Sequence, residues 1–352
     1  MQRRLEKYFT IILLVMTMML TGVLHFFPQL HSYAFFDNGE DENVHSVMQL
    51  IRADDTLVLG DENLGEMNHQ LRMELPSDVS PDDVEVTEQA LYKSITISIP
   101  GVDENYIYSY PLVGSSDHIS DFIFDSAGGN GVFEIITDSV YVLNMTVEGQ
   151  YIYFDFLDPH EIYDAIVVVD AGHGGKDGGC SNGGVVEKDL NLAITEKMKD
   201  YFNLQEYNIG VYYTRESDFN PTYKNRVGLA NDLNADLFLS VHINSTSSGR
   251  VSKINGSEVM YRSSDASGLS RAFSQNCLDS MLQTLGSNSK GLVAGDEIYI
   301  IRNSNVPVAL AEIGFITNNE EKAKMASEDY QQKAAESLYN AIIKTLKENG
   351  KL

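Results

Sequence analysis

The stretch Ala165-Ile166-Val167-Val168-Val169-Asp170-Ala171-Gly172-His173-Gly174-Gly175 decides the fold. An unbroken Ile and Val run closed by glycines reads as a buried central strand of an α/β sheet. Its carboxyl end delivers His173 into a loop of minimal side chains, which is where open α/β sheets place their chemistry. Glycines on both sides let an ion, a water or a substrate approach the imidazole closely.

Three further residues occupy comparable places. Glu187 lies in Val185-Val186-Glu187-Lys188-Asp189-Leu190, where a helical pattern begins. His242 follows the apolar run 235–241, and Glu312 follows Val308-Ala309-Leu310-Ala311. Two histidines and two glutamates thus project from strand ends or a helix start, the set of groups that a hydrolytic zinc site uses.

Outward from this stretch, the chain after residue 161 alternates strands and helices. Leu190, Ile194, Met198, Tyr201 and Phe202 give one helical face, and 209–214 reads as a strand. A helix over 222–233 precedes the strand ending at His242, and 257–262 reads as another strand. Leu269, Phe273, Cys277, Met281, Leu282 and Leu285 mark the next helix, 298–301 and 307–312 read as strands, and a last helix starts near Asn318. This order predicts an α/β domain over 161–352, a twisted sheet flanked by helices.

The N-terminal half is different. Arg3, Arg4 and Lys7 precede a run from Tyr8 to Phe27 without Asp, Glu, Lys or Arg. At a rise of ~1.5 Å per residue that length crosses one bilayer. Bases before the run and acids after it place the bulk of the chain outside. A cleaved signal peptide ending near Ser32-Tyr33-Ala34 is the alternative, but the run exceeds the usual signal-peptide core, which favours an uncleaved anchor within 1–30. Either reading exports the protein: single-pass at the cell membrane with its catalytic domain extracellular, or secreted. Residues 31–83 read as an acidic linker. From 84 to 160, short alternating segments separated by Pro100-Gly101, Gly128-Gly129-Asn130-Gly131 and Glu148-Gly149-Gln150 predict a small all-β domain, a sandwich.

Composition narrows the function. A hydrophobic content of 43% argues for a folded chain, and two cysteines, Cys180 and Cys277, are too few for a disulfide framework or a thiolate metal cluster. The net charge of −26 excludes nucleic-acid binding, which needs basic patches. A dinucleotide fingerprint starting at Gly172 would need glycine at 177, where Asp177 stands, and no phosphate-binding P-loop signature occurs. Ser240 and Ser245 lack the G-x-S-x-G context of a serine nucleophile. His173 and His242 are the only histidines after residue 161, but spacings of 14 and 55 residues around Glu187 form no local motif, so spacing alone does not decide for zinc.

Asp170-Ala171-Gly172-His173-Gly174-Gly175, Glu187 with Lys188 to Leu192, Ser240-Val241-His242-Ile243-Asn244 and Glu312-Ile313-Gly314-Phe315-Ile316-Thr317-Asn318 resemble, in order, the signatures of the zinc-dependent N-acetylmuramoyl-L-alanine amidases of the amidase-3 type. Thr214-Arg215, Arg226 with Ala230-Asn231, and Gly256-Ser257-Glu258-Val259 match as well, and the likeness covers roughly 165 to 345. The resemblance implies that His173, Glu187 and His242 bind Zn2+ and that Glu312 is the catalytic glutamate. It implies a peptidoglycan substrate, cleaved at the amide between N-acetylmuramic acid and L-alanine. Asn244 is a candidate for substrate binding or for orienting a ligand. The β-rich segment is faintly similar to the AMIN-type domains that precede some such amidases. Two rivals remain: a zinc carboxypeptidase or endopeptidase acting on the stem peptides, and an inactive wall-binding scaffold. The presence of all four site residues argues against the scaffold.

Overall fold

The computed structural model describes residues 69–352 apart from 111, 115 and 205. The apolar run 8–27 and most of the expected linker lie outside the described residues. Among the described residues, no helix is long and apolar enough to cross a membrane.

Eight strands build the N-terminal lobe: β1 (Leu71–Glu74), β2 (Glu85–Gln89), β3 (Ser94–Pro100), β4 (Val113–Gly114), β5 (Ile119–Ala127), β6 (Asn130–Thr137), β7 (Val142–Glu148) and β8 (Tyr151–Leu157). They form two antiparallel four-stranded sheets, ordered β4-β1-β8-β7 and β2-β3-β6-β5. β6 and β8 alternate buried and half-buried residues along their length, the period of a strand with one face on a core. Inner residues of both sheets, Leu71, Met73, Ile152 and Phe154 from one and Ile97, Ile99, Phe133 and Ile135 from the other, share a single core. Gly128 and Gly129, at φ +64° and +87°, make the two-residue turn between β5 and β6 that the strand twist favours. The lobe starts earlier than the sequence pattern suggests. Leu71, Met73 and Leu75 fall within the stretch read as linker, yet all three are buried. β1 pairs with β8 and β4, and four residues among acids are too few to register as a strand by alternation.

The remainder comprises β9 (Ala165–Ala171), β10 (Ser181–Asn182), β11 (Val185–Val186), α1 (Glu187–Leu204), β12 (Ile209–Tyr213), α2 (Tyr223–Asp232), β13 (Leu237–Asn244), β14 (Ser257–Tyr261), α3 (Leu269–Leu285), β15 (Ser289–Ala294), α4 (Tyr299–Arg302), β16 (Val308–Phe315), α5 (Asn319–Met325) and α6 (Glu328–Glu348). The sheet order is β12-β9-β13-β16-β14-β15. β12, β9, β13 and β16 run parallel, and β14 and β15 run against them. Every residue of β9 is buried, as its apolar run requires. Val167 and Val169 face a core completed by α1, α3 and α6. Ile166 and Val168 face the opposite core, with Val227, Leu229 and Ala230 of α2 and Ile300 and Ile301 of α4.

That second core also takes Val140, Ala90 and Leu91 from the β-rich lobe. Lys93 pairs with Asp232 at 3.2 Å, and the His160 imidazole lies 3.0 Å from the Leu233 carbonyl, across the same junction. The segment 298–301, expected as a strand, is instead the helical turn α4. Ile300 and Ile301 are buried while Tyr299 stays open to solvent, a pattern one turn of helix satisfies as well as a strand does.

Candidate active site

β9, β13 and β16 lie side by side and run parallel, so His173, just past the end of β9, and His242 and Glu312, in the carboxyl-terminal halves of β13 and β16, come to the same end of the sheet. The backbone at His173 turns sharply, with φ +61°, a left-handed conformation rare for a residue with a side chain. Two buried guanidiniums hold it there. Arg226 donates through Nη1 to the Asp170 carboxylate and the Ala171 carbonyl, at 2.6 and 2.7 Å, and through Nη2 to the His173 carbonyl at 2.6 Å. Arg215 donates to the carbonyls of Ala171, Gly172 and Lys188 at 2.8 to 3.0 Å. Asp170 also accepts from Thr214 and Ser240. Burial alone would raise the Asp170 pKa, but Arg226 and the two hydroxyls outweigh it and hold the carboxyl below its ordinary range.

Glu187, the first residue of α1, carries a carboxylate that is almost fully buried. Its Oε1 lies 3.2 Å from His173 Nε2 and 2.9 Å from His242 Nδ1. The backbone amides of Cys180 and Ile243 donate to its two oxygens at 2.8 and 3.1 Å. Burial pushes the Glu187 pKa up, yet the two imidazoles win and keep it far below the carboxylate norm. His173 Nδ1 contacts Asp177 Oδ2 at 2.9 Å. Burial lowers the His173 pKa, but Glu187 and Asp177 lift it to about 9.

One donor atom from each of His173, Glu187 and His242 lies within 4.8 Å of the other two. The surroundings fit a cation at their centre. Among the described residues, Glu187 has no Lys or Arg partner, only the two imidazoles. The carboxylate on Nδ1 of His173 is the arrangement that leaves Nε2 free to ligate. Two glycines leave the room: a Cβ on Gly172 would lie 2.3 Å from the His242 ring, and one on Gly179 would lie 2.4 Å from Glu187 Oε2.

Glu312 sits in register with His242 on the neighbouring strand, one inter-strand step of ~4.8 Å away. Its Oε2 is shut off from solvent and has no hydrogen-bond partner. Among the described residues no ion pair reaches it: Arg226 is held by Asp170, and Arg302 by the carbonyls of Asp296 and Glu297. Burial, with the neighbouring Glu187 and Glu258 charges, raises the Glu312 pKa to about 7 against the opposing pull of the histidines. A buried carboxyl poised near neutrality beside a cation site can take and return protons.

The chain matches the N-acetylmuramoyl-L-alanine amidase family over residues 167–344. It belongs to that family. The Bacillus subtilis uncharacterized protein YqiI is 38% identical over 176 residues, covering 50% of this chain and 82% of its own length. The germination-specific N-acetylmuramoyl-L-alanine amidase of the same organism is 31% identical over 199 residues, 53% of this chain and 81% of the relative. The crystal structure of an N-acetylmuramoyl-L-alanine amidase from Clostridium difficile 630 aligns with 31% identity and a TM-score of 0.49, over 52% of this chain and 97% of that one. The protein is therefore a peptidoglycan hydrolase that cleaves the amide between N-acetylmuramic acid and L-alanine.

Of the residues that the sequence singled out in this amidase, His173, Glu187, His242 and Glu312 come together. Asn244, at the end of β13, contacts Glu258 Oε1 through Nδ2 at 3.4 Å. Glu258, on β14, stands in register with Glu312 on the side away from His242. Glu258, Arg215 and Arg226 lie in stretches that match the family in sequence, but the sequence assigns none of them a role. A pairing register would have exposed Glu258, and a single chain does not print one.

Proposed function

We propose that the amide is hydrolysed at the His173–Glu187–His242 triad loaded with zinc, with Glu312 as general base and then general acid. The observation that carries this reading is the convergence of three unpaired-by-cation donors within 4.8 Å, one strand away from a buried carboxyl with a free oxygen. Bound Zn2+ would supply Lewis acidity toward both water and the amide carbonyl. The donor set of two imidazoles and one carboxylate leaves a fourth position for the reactants. Glu312 takes a proton from the attacking water and returns it to the departing nitrogen. Asp177 keeps the His173 ring oriented. Arg215 and Arg226, by holding the 171–173 carbonyls, keep that ring at the strand end. Asn244 steadies the Glu258 carboxylate at the edge of the site.

The apolar run 8–27, with its flanking charges, supports anchoring to a membrane with the catalytic half outside. The β-rich lobe, in this reading, is a wall-facing or spacer domain packed against the catalytic sheet.

The test is digestion of purified peptidoglycan by the full chain, with and without a chelator. Intact stem peptides starting with L-alanine should appear, and chelation should stop their release. Loss of only a terminal amino acid, or release that persists without metal, would overturn the proposal.

A further inference from the structure

Across the top of the sheet, one rung carries His242 on β13, Glu312 on β16 and Glu258 on β14. Residues paired across strands point to the same face, so the three side chains form a row. The first belongs to the metal triad and the second is the proton carrier. The third has no assigned part.

Glu258 is half-buried, and burial is the main influence on its carboxyl. Among the described residues its only side-chain hydrogen bond is the long one from Asn244, and Lys290 favours its ionised form from nearby without closing an ion pair. A second carboxylate directly beside Glu312 is electrostatically unfavourable, since like charges opposite one another destabilise a sheet. A carboxylate with spare acceptor capacity, facing a reaction site, calls for a donor that arrives with the ligand.

The reaction produces such a donor. Hydrolysis breaks the amide C–N bond, places the water oxygen on the lactyl carbonyl carbon and sends one water proton to nitrogen through Glu312, while the second leaves the new carboxylic acid, which ends as a carboxylate, and charges the amine. The freed α-amino group of L-alanine, with an ordinary pKa of ~7.7–8.0, ends as an ammonium at neutral pH. Glu312 must lie within hydrogen-bond reach of that nitrogen to protonate it, and Glu258 is the next carboxylate along the row.

We propose that Glu258 is the receptor for the departing amine: it accepts a hydrogen bond from the new α-amino group of the stem peptide as Glu312 delivers the first proton, and holds the ammonium formed when the new lactyl carboxylic acid gives up the second, so that the product site prefers a free N-terminal L-alanine to an acylated one. The inference rests on the amidase reading above, because only that bond leaves an amine at L-alanine.

Titration calorimetry tests it on the zinc-loaded full chain at pH 7, using one synthetic stem peptide with its L-alanine amine either free or acetylated. A charge-assisted hydrogen bond should favour the free amine by about 10- to 100-fold in Kd. Glu258→Gln should shrink that preference to within about threefold while the acetylated peptide binds as before. A wild-type preference below about threefold, or no measurable binding of the free peptide, overturns the proposal without recourse to any variant. So does a preference that survives in E258Q. Release of stem peptides from peptidoglycan by the wild type tests the parent reading separately.

Discussion

Gly172 is the most exacting position in the site. It precedes His173, and its φ is not in the left-handed region, so alanine there meets no backbone strain. The obstacle is contact alone. The added Cβ would fall 2.3 Å from both Cε1 and Nε2 of His242 and 2.8 Å from Cδ2, where ordinary contact begins at 3.4 Å. The ring must retreat by about 1.1 Å or the β9 end must bend. Metal–ligand distances tolerate only about 0.2 Å. Gly172→Ala should therefore weaken zinc binding at least as much as loss of a supporting partner does, about 10- to 100-fold. Overpacking should also lower stability by about 1–3 kcal/mol. Competition against a chromogenic chelator measures the first effect, and denaturant unfolding of the metal-free chain measures the second. Zinc affinity within about threefold of wild type would refute the placement of the His242 ring against Gly172, and with it the geometry of the triad.

Asp170→Asn leaves Arg226 buried without its countercharge, which should cost about 3–5 kcal/mol and lower Tm by about 6–20 °C in calorimetry. Glu312→Gln should cut kcat by about 10²- to 10⁴-fold while bound zinc, measured by atomic absorption, stays near one per chain. As a base, Glu312 works only when ionised, so activity should fall as pH drops through its pKa. Removing the Glu258 charge in E258Q takes away one influence that raises that pKa, so the acid limb of the kcat/KM profile should move to lower pH. Zinc uptake by the metal-free chain at pH 7 should release a proton, because His173 holds its proton up to about 9, and a pH-indicator dye will report it. Val140→Asp puts a carboxylate into the core under the second face of the catalytic sheet, and should lower Tm although the residue lies far from the triad in sequence.

How much of this was legible beforehand follows from how local each signal is. The strand 165–171 announces itself because a fully buried strand needs no polar face, and its apolar run is uninterrupted. His173, His242 and Glu312 were legible by the same route, as polar residues stationed where apolar runs stop. Glu187 followed from the helix start. Glu258 was not legible: a glutamate on a strand is unremarkable until the register sets it beside Glu312. Arg215 and Arg226 stand in stretches that match the family, but their positioning part was not legible because their partners are mainly backbone carbonyls, which carry no sequence mark. The hairpin of β10 and β11, two residues per strand, is too short for any alternation to show. β15 was missed because its glycine and lysine mask the pattern, and α4 was misread because four residues fit either period.

The junction between the lobes has a practical consequence. Ile166 and Val168 look out from the back of the catalytic sheet onto a cluster that Ala90, Leu91 and Val140 help to seal. Cutting the polypeptide at 161 would strip that lining and leave an oily scar behind the reaction centre, inviting self-association. Poor behaviour of such a fragment would speak of a missing wall rather than of faulty chemistry.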